Sequence, residues 1–214
     1  MNIHGIYNRI SPWFRKRRLA KFQALLQPTA ETTILDVGGY PGCWPESDCP
    51  AHVTCINIDP FPGFVATSRR VMRTGNGCAL EFGDQSFDIG FSNSVIEHVG
   101  TWENQQKFAS EIRRVGGRLW VQTPARCFFI EPHLIAPFIH WLPKRCQRPL
   151  LRWFTVWGWL TRPTPAQVDG FLAEVRLLTF GEMQSLFPDC RIERERFLVI
   201  FTKSYIAVRH QPGG

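Results

Sequence analysis

A glycine-rich turn near the start of the chain follows an apolar run and offers a ligand direct access to the backbone. Gly38, Gly39 and Gly42 have no side chains, so the main chain there can take unusual dihedrals and lie close to a bound molecule. Asp36 is the one acid in the preceding run, residues 34–37, and a carboxylate in a buried strand is tolerated only with polar partners. The pattern therefore predicts a cofactor site at this turn.

A second acid, Asp59, follows another β-rich run at residues 53–58. Ligands of open α/β sheets bind beyond the carboxyl ends of the strands, where an acid at the second strand tip can accept both hydroxyls of a ribose. A dinucleotide site needs the pattern Gly-x-Gly-x-x-Gly, but Tyr40 stands at the middle glycine position and Cys43 at the last. Because this turn would cradle a diphosphate poorly, we expect a ribose-bearing cofactor without phosphates.

Two histidines are candidates for activating an acceptor group. His98 follows a run of small polar residues, and His133 lies after the last strand of the predicted parallel sheet. If the protein transfers a chemical group to a hydroxyl, a general base that takes the hydroxyl proton would raise the rate about 10²–10⁴-fold. His98 could instead be structural, with its ring hydrogen-bonded to backbone. We expect no metal site, since His133, His140 and Glu131 are a poor ligand set in a segment that Pro137 interrupts.

The turn and its acids resemble the class I S-adenosylmethionine (SAM)-dependent methyltransferases, more closely the bacterial small-molecule, methyltransferase type 11-like branch. The resemblance covers about residues 30–125. It departs at Tyr40, where the family motif acid-x-Gly-x-Gly-x-Gly has its middle glycine. The resemblance implies SAM as the cofactor, with Asp36 placing the amino end of the methionine portion and Asp59 binding the ribose. The cofactor's chain would be lined by Gly38, Gly39, Tyr40 and Gly42.

Two further segments match the cofactor pocket of this family. Asn76 and Cys78 lie in the segment that follows the family's third strand, where an acid often accepts the adenine amino group. An Asn amide can accept from that amine and also donate to a ring nitrogen, although Asn76-Gly77 is equally typical of a plain turn. Asn93, at the tip of the fourth strand, is expected to line the cofactor there.

The elements that must position these residues alternate between strand and helix from residue 34 to residue 123, which predicts right-handed crossovers and a parallel sheet. One helix is expected to end at Gly116 and Gly117. Two final strands are predicted at residues 191–197 and 203–209. The resemblance implies a Rossmann-like α/β fold, with a seven-stranded, mostly parallel sheet, flanking helices and an antiparallel last strand.

Length and composition favour a single domain, residues 1–214, because 214 residues that are 44% hydrophobic can bury one sizeable core. Within this methyltransferase domain we expect an N-terminal basic helix at about 12–26 and a lid or insert at about 125–178. The 7 cysteines are odd in number and lack Cys-x-x-Cys pairs, which favours reduced thiols and a cytoplasmic location, with peripheral membrane contact left open.

The net charge of +7 suggests an anionic partner, which could be a nucleic acid, a membrane surface or an acidic substrate. Residues 138–162 mix basic residues with tryptophans, a composition that suits an anionic membrane surface. A base-stacking surface uses the same residue types, and a lid packed on its own domain is a third interpretation. The helix at 12–26 is either a solvated amphipathic helix or a membrane or substrate contact. We favour the membrane over nucleic acid.

The sequence therefore predicts methyl transfer from SAM to a small-molecule or lipid-linked acceptor, with oxygen preferred because candidate bases exist. One alternative is a non-catalytic SAM-binding or membrane-adaptor protein, suggested by the departures at Tyr40 and Asn76. The other is a nucleic-acid methyltransferase, suggested by the charge. Residues 92–95 are Ser-Asn-Ser-Val, however, and lack the Asn/Asp-Pro-Pro-aromatic motif common in enzymes that methylate nucleic-acid amino groups.

Overall fold

The computed structural model describes residues 16–45, 48–59 and 64–211. Of the basic helix predicted at about 12–26, residues 16–26 are helical, whereas residues 12–15 lie outside the described ranges. None of the helices in these ranges has both the length and the apolar character that crossing a membrane requires.

The strands divide into one large sheet and one short hairpin. In chain order they are β1 (Thr33–Val37), β2 (His52–Asn57), β3 (Arg70–Thr74), β4 (Phe87–Asn93), β5 (Gly116–Pro124), β6 (Ile130–Glu131), β7 (Ala136–Pro137), β8 (Arg191–Phe197) and β9 (Phe201–Arg209). The large sheet has 7 strands in the order β3-β2-β1-β4-β5-β9-β8, and β6 pairs with β7 alone.

The strand directions confirm the predicted Rossmann-like α/β class. β1 runs parallel to β2 and β4, β2 is parallel to β3, and β4 is parallel to β5. β9 runs antiparallel to both β5 and β8, so the last strand is antiparallel as expected. Because the parallel strands share one direction, their carboxyl ends meet at a single edge of the sheet, which is where such sheets bind ligands.

The helices lie against this sheet and in the segment after β5. They are α1 (residues 16–26), α2 (Trp102–Val115), α3 (Lys144–Leu151), α4 (Val156–Thr161), α5 (Pro165–Glu174) and α6 (Phe180–Leu186). Side-chain caps set where several of them begin. Thr101 Oγ1 accepts from the Asn104 amide at the start of α2, and Thr179 with Glu182 forms a capping box at the start of α6.

Apolar clusters cover both faces of the sheet. Successive residues of β5 alternate between the clusters, as the period of a strand requires: Leu119 faces the α2 side and Trp120 faces the α1 side. On the α1 side, Phe22 meets Trp120 edge to face with ring centroids 5.8 Å apart. On the α2 side, Phe108 is buried. Burying one such side chain stabilises the fold by about 1.5–3 kcal/mol.

Residues 125–178, the predicted lid or insert, contain the β6-β7 hairpin and helices α3, α4 and α5. Ala125 and Leu178 form a β-bridge, so the segment leaves and rejoins the domain at one place beside β5. Its interior has a separate apolar cluster that includes Leu134, Leu151 and Val168. The segment therefore packs around its own small core.

The prediction that a left-handed glycine caps the end of α2 is wrong. The helix ends at Val115 as predicted, but Gly116 has a φ of −99° and starts β5 instead of adopting a left-handed cap. A Cβ on Gly116 would lie 2.5 Å from the backbone nitrogen of Gly90. The glycine is therefore required by the close approach of β4 and β5.

His133 and His140, which were weighed together as metal ligands, lie on different elements. His133 lies in the turn between β6 and β7. His140 lies in the 3-10 helix Ile139–Trp141, and its Nε2 is 3.0 Å from the Arg126 carbonyl oxygen. The two rings accordingly have separate surroundings.

Candidate active site

The glycine turn, residues 38–42, leaves the carboxyl end of β1 and is held against β2. The Gly38 amide donates to the Ile56 carbonyl at 2.7 Å, and Asn57 Nδ2 donates to the Gly38 carbonyl at 3.1 Å. Gly38 has a φ of +80°, a left-handed conformation in which a side chain would be strained, and Val95 fills the space that its Cβ would need. These contacts fix the turn at the ligand-binding edge of the sheet.

Asp36 lies beneath this turn with only 2% of its surface exposed. Its Oδ2 accepts from the Trp44 indole nitrogen at 2.7 Å, which supplies the polar partner that a buried carboxylate needs. A Cβ on Gly39 would lie 1.7 Å from the same oxygen. Glycine is therefore required at position 39, because any side chain would displace the carboxylate.

A cavity of about 160 Å³ opens beside the turn, where the carboxyl ends of β1 and β4 meet. Its lining brings together these residues of the predicted cofactor set: Asp36, Gly38, Gly39, Tyr40 and Asn93. Gly42 lies against the Tyr40 ring, since a Cβ there would be 2.4 Å from Tyr40 Cε2. Tyr40, the departure from the family motif, thus forms part of the cavity wall.

Asp59 lies at the same edge but outside this cavity. It is exposed and follows shortly after the end of β2. β2 pairs with β1 so that Val37 faces Ile56, which places the two strand ends side by side. Among the described residues that line the 160 Å³ cavity, Asp59 is absent. Its role in binding ribose stays a prediction.

Asn76 and Cys78 form a turn of their own, the alternative that the sequence left open. Asn76 Oδ1 accepts from the Cys78 amide at 2.9 Å, and Cys78 Sγ lies 3.4 Å from the Asn104 carbonyl. Burial raises the pKa of the Cys78 thiol. The cavity beside the turn does not include either residue in its described lining, so their contact with adenine stays a prediction.

The two predicted acceptor-activating histidines lie together. His98 ends the 3-10 helix Ile96–His98 that follows β4, and His133 comes from the β6-β7 turn. Their ring centroids are 4.7 Å apart and the ring planes are inclined at 85°. Folding thus assembles one histidine pair, a name we keep for these two residues.

Carboxylates hold both rings of the histidine pair. His98 Nδ1 lies 3.0 Å from Glu174 Oε1, and His133 Nδ1 lies 2.7 Å from Glu131 Oε1. Within the described residues, the His98 ring is therefore held by a carboxylate and not by backbone. Burial lowers the pKa of His133, but its hydrogen bond to Glu131 and the charges of Glu97 and Glu174 outweigh this and raise the pKa above its usual value.

Comparison with known proteins agrees with this geometry. Residues 35–121 match the family described as "Methyltransferase domain". This stretch of the chain is thus similar to a methyltransferase domain. A Mycobacterium avium (strain 104) protein named as an uncharacterized methyltransferase is 36% identical over an 80-residue alignment that covers 34% of this chain and 32% of that protein. The match thus spans about a third of the relative's length. The resemblance predicted from the glycine turn is confirmed.

Solved methyltransferase structures share the fold of this domain. The Haloferax volcanii complex between the Trm112 methyltransferase activator and a methyltransferase gives a TM-score of 0.59 at 12% identity, over 98% of this chain and 93% of that chain. The Burkholderia thailandensis 1,6-didemethyltoxoflavin-N1-methyltransferase, solved with S-adenosylhomocysteine, gives 0.55 at 13% identity, over 93% and 79% of the two chains. At these identities the likeness is one of fold.

The candidate site has a cationic residue beside the glycine turn that the sequence did not single out. Arg18 on α1 lines the 160 Å³ cavity. It donates to Gln122 Oε1 at 3.1 Å and to Asn93 Oδ1 at 3.5 Å, and it pairs with Glu195 at 2.8 Å. Within the basic run of α1 nothing distinguishes Arg18 from its neighbours. Only the packing of the helix on the sheet turns this guanidinium inward.

A larger cavity of about 310 Å³ lies within the 125–178 segment, which supplies every residue of its described lining. Glu131, the partner of His133, lines it, whereas neither ring of the histidine pair is among its described lining residues. Its wall combines apolar side chains with several cations. These are Leu134, Phe171 and Leu172 on the apolar side, and Arg126, Lys144 and Arg176 among the basic residues.

The residues around the smaller cavity fit a SAM molecule. Gln122 is fully buried at the carboxyl end of β5, and its Nε2 has no hydrogen-bond partner within the described part of the chain. A buried amide donor without an acceptor destabilises the folded protein, and an acceptor that binds to it removes this penalty. The carboxylate of a methionine portion would be such an acceptor, and Asp36 offers the opposite charge for its amino group.

Proposed function

We propose that this chain is a SAM-dependent methyltransferase that transfers the methyl group to an oxygen of a small-molecule or lipid-linked acceptor. The observation that carries the proposal is the placement of the glycine turn and the histidine pair at neighbouring strand ends. Val95 joins the two: its side chain fills the space beside Gly38, and His98 follows it in the chain shortly afterwards.

The cofactor half of the site uses charges of both signs. When bound, SAM supplies an electrophilic methyl group on a positively charged sulfur. Asp36 would attract the amino group of its methionine portion, and Arg18 with Gln122 would bind the carboxylate. Asp59 would accept from the ribose hydroxyls, and Asn76 would recognise adenine. These contacts would hold the methyl group at the end of β4, beside Asn93.

The acceptor half is the histidine pair. Transfer requires the acceptor oxygen, the methyl carbon and the sulfur to lie in line, so holding that geometry supplies much of the rate. Glu174 and Glu131 bind the Nδ1 atoms and thereby orient the rings. A hydroxyl that contacts this pair would be both positioned and made a better nucleophile, because a nearby basic nitrogen favours loss of its proton.

The larger cavity favours an acceptor that is partly apolar and carries negative charge. Arg126, Lys144 and Arg176 line it against the single acid Glu131 within the described lining. Leu134 and Phe171 provide apolar wall on the same cavity. An amphiphile with an anionic group matches both properties.

An exposed aromatic surface supports a lipid-linked acceptor. Within residues 138–162 the surface exposes large apolar side chains next to arginines, and we define it by Phe138, Trp141, Leu142, Trp153, Phe154 and Trp159, which are 41–68% exposed. Arg152 lies over the Trp153 ring at 5.2 Å. Indoles at headgroup depth beside arginines suit an anionic membrane interface, so we propose peripheral contact through this surface.

Titration calorimetry with SAM and separately with NADH tests the cofactor assignment. We expect one equivalent of SAM to bind and NADH not to bind. Gly39→Ala should abolish SAM binding because the new Cβ collides with the Asp36 carboxylate, whereas Gly83→Ala, where a Cβ meets open space, should bind normally. A well-folded chain that binds neither cofactor would refute the proposal and favour an adaptor. Binding to nucleic acid that weakens steeply with salt would favour the nucleic-acid alternative.

A further inference from the structure

Glu97, His98 and His133 form a cluster whose possible metal-ligand atoms all lie within 4.8 Å of one another. Glu97 and His98 come from the 3-10 helix after β4, whereas His133 comes from the β6-β7 turn. One carboxylate oxygen and two imidazole nitrogens are a donor set typical of zinc and related divalent transition metals.

Glu97 has a buried oxygen that nothing in the described chain satisfies. Its side chain is 0% exposed, and Oε2 accepts from Thr123 Oγ1 at 2.9 Å. Oε1 is buried and has no hydrogen-bond partner among the described residues. A bare carboxylate oxygen in a buried site is unfavourable unless a cation or a donor faces it. The histidine pair offers ligand atoms within 4.8 Å of a Glu97 carboxylate oxygen.

The two histidines are already oriented as metal ligands are. In each ring Nδ1 is bound to a carboxylate, that of Glu174 for His98 and that of Glu131 for His133. Histidines that bind metals commonly donate their other nitrogen to a carboxylate, which fixes the tautomer and the direction of the ligand nitrogen. In both rings this leaves Nε2 as the nitrogen for an ion.

We propose that Glu97, His98 and His133 bind one divalent transition-metal ion, with Zn²⁺ as the best match. Three protein ligands leave a fourth tetrahedral position open, as in catalytic zinc sites. Zinc–nitrogen bonds of about 2.1 Å place tetrahedral ligands about 3.4 Å apart, so loading draws the three side chains together. The sequence expectation of no metal weighed a different set, His133 with His140 and Glu131. Folding pairs His133 with Glu131 but places His140 Nε2 against the Arg126 carbonyl oxygen.

The open position takes the acceptor's hydroxyl oxygen, an inference that rests on the proposed methyl transfer. Binding to the ion lowers the pKa of the hydroxyl, and its proton leaves to water. The oxygen then forms a bond to the methyl carbon while the carbon–sulfur bond breaks, and the sulfonium becomes a neutral thioether. In the metal-loaded protein the histidine pair therefore acts on the acceptor through the ion, and it favours proton loss directly only where no ion is bound.

Metal titration of the full chain tests this site without any acceptor. The chelator-treated protein is titrated by calorimetry with Zn²⁺ and with Mg²⁺, and its visible spectrum is recorded with Co²⁺. We expect one equivalent of Zn²⁺ to bind, Mg²⁺ to bind far more weakly, and Co²⁺ to give a tetrahedral spectrum without a thiolate charge-transfer band. The same result in a variant with Cys127→Ser and Cys146→Ser, the exposed thiols, excludes cysteine ligands.

Single variants assign the ligands. His98→Asn, His133→Asn and Glu97→Gln should each weaken Zn²⁺ binding at least ten-fold, and Glu131→Gln should weaken it about 10–100-fold by releasing the His133 ring. His52→Asn, a histidine at the start of β2, is the matched control and should bind Zn²⁺ normally. SAM binding to each variant reports whether it is folded, which matters most for the buried Glu97.

The outcomes separate this site from the proposed function. A folded chain that binds SAM but not Zn²⁺ overturns the metal site and leaves methyl transfer standing. Stoichiometric Zn²⁺ binding that His98→Asn and His133→Asn weaken, in a chain that does not bind SAM, supports the site and refutes the proposed cofactor. Zn²⁺ binding that survives both histidine substitutions overturns the ligand assignment.

Discussion

His98 and His133 meet edge to face at 4.7 Å, although helix α2 and strand β5 separate them along the chain. Two different elements must therefore be placed correctly to make this contact: the short helix after β4 and the β6-β7 hairpin. The hairpin belongs to the 125–178 segment, which has its own apolar cluster around Leu134. The acceptor side of the site consequently depends on how that segment packs against the sheet.

Removing one ring of the histidine pair should impair catalysis while leaving the cofactor bound. We expect His98→Asn to lower kcat for an identified acceptor about 10²–10⁴-fold, the usual contribution of such acid–base or hydroxyl-activating groups. The dissociation constant of SAM should change little, because the ring is absent from the described lining of the cofactor cavity. Steady-state kinetics with calorimetry separates the two effects. An unchanged kcat, matching that of the His52→Asn control, would contradict the assignment.

Asp59→Ala should weaken SAM binding by roughly 1.5–3 kcal/mol, the range for hydrogen bonds to a charged group. The loss comes from the ribose hydroxyls, which would lose a charged acceptor. Asp84→Ala removes another exposed carboxylate, one that pairs with Arg114 away from the cofactor cavity. Calorimetry should show weaker binding for Asp59→Ala only. Equal affinities for both variants and the wild type would place the ribose elsewhere.

The pairing of Arg18 with Glu195 should make the free energy of unfolding depend on pH in the acidic range. Burial raises the pKa of Glu195, but the charge and hydrogen bond of Arg18 outweigh this and hold it below its ordinary 4.5. A carboxylate with a lowered pKa stabilises the fold above that ordinary value, and the contribution is lost as the pH falls through the folded-state pKa. Arg18→Met should therefore lose less stability on acidification below pH 4.5 than the wild type does.

Denaturant unfolding at several pH values measures this difference. Glu195→Gln serves as the matched variant, since it removes the titrating group and keeps Arg18. A double-mutant cycle between the two should give a coupling free energy that shrinks as Glu195 becomes protonated. A coupling that is constant with pH would show that the ion pair does not link proton binding to folding.

Loss of the proton from Lys203 should make the domain more stable as the pH rises into the mildly alkaline range. Burial and the charge of Arg18 lower its pKa from 10.5 to about 8. Between these values the unfolded chain binds more protons at this residue than the folded chain does, so stability rises with pH. The wild type should gain stability relative to Lys203→Met from pH 8 to pH 10.5, as thermal unfolding at matched ionic strength can show. A difference that stays constant across this interval would refute the lowered pKa.

The aromatic surface should bind anionic vesicles. Trp153→Ala, Phe154→Ala and Trp159→Ala together remove side chains that are 64–68% exposed, so the fold should tolerate the change. We expect the wild type to sediment with vesicles containing phosphatidylserine and the triple variant to do so at least ten-fold less. Val65→Ala, an exposed apolar residue outside this surface, is the control. Equal sedimentation of all three proteins would exclude this membrane contact.

Local patterns account for most of what could be predicted about the cofactor half. An apolar run followed by glycines can adopt few backbone conformations, because Gly38 must take a positive φ and Gly39 must leave room for the Asp36 carboxylate. The alternation of strands and helices then leaves a parallel sheet as the natural arrangement. Asn76 shows the limit of this approach, since one residue type suits both an adenine contact and the turn that the structure contains.

The sequence by itself determined the parallel part of the sheet and the cofactor turn, since these follow from short-range periodicity and backbone sterics, whereas the antiparallel last strand was implied by the family resemblance. The tertiary structure alone decided which side chains meet across long separations. Arg18 lines the cofactor cavity because α1 packs on the sheet, and His98 contacts His133 because the 125–178 segment places the β6-β7 turn beside it. Glu97 shows the same principle, because a buried, unsatisfied oxygen is a property of its surroundings and not of its place in the chain.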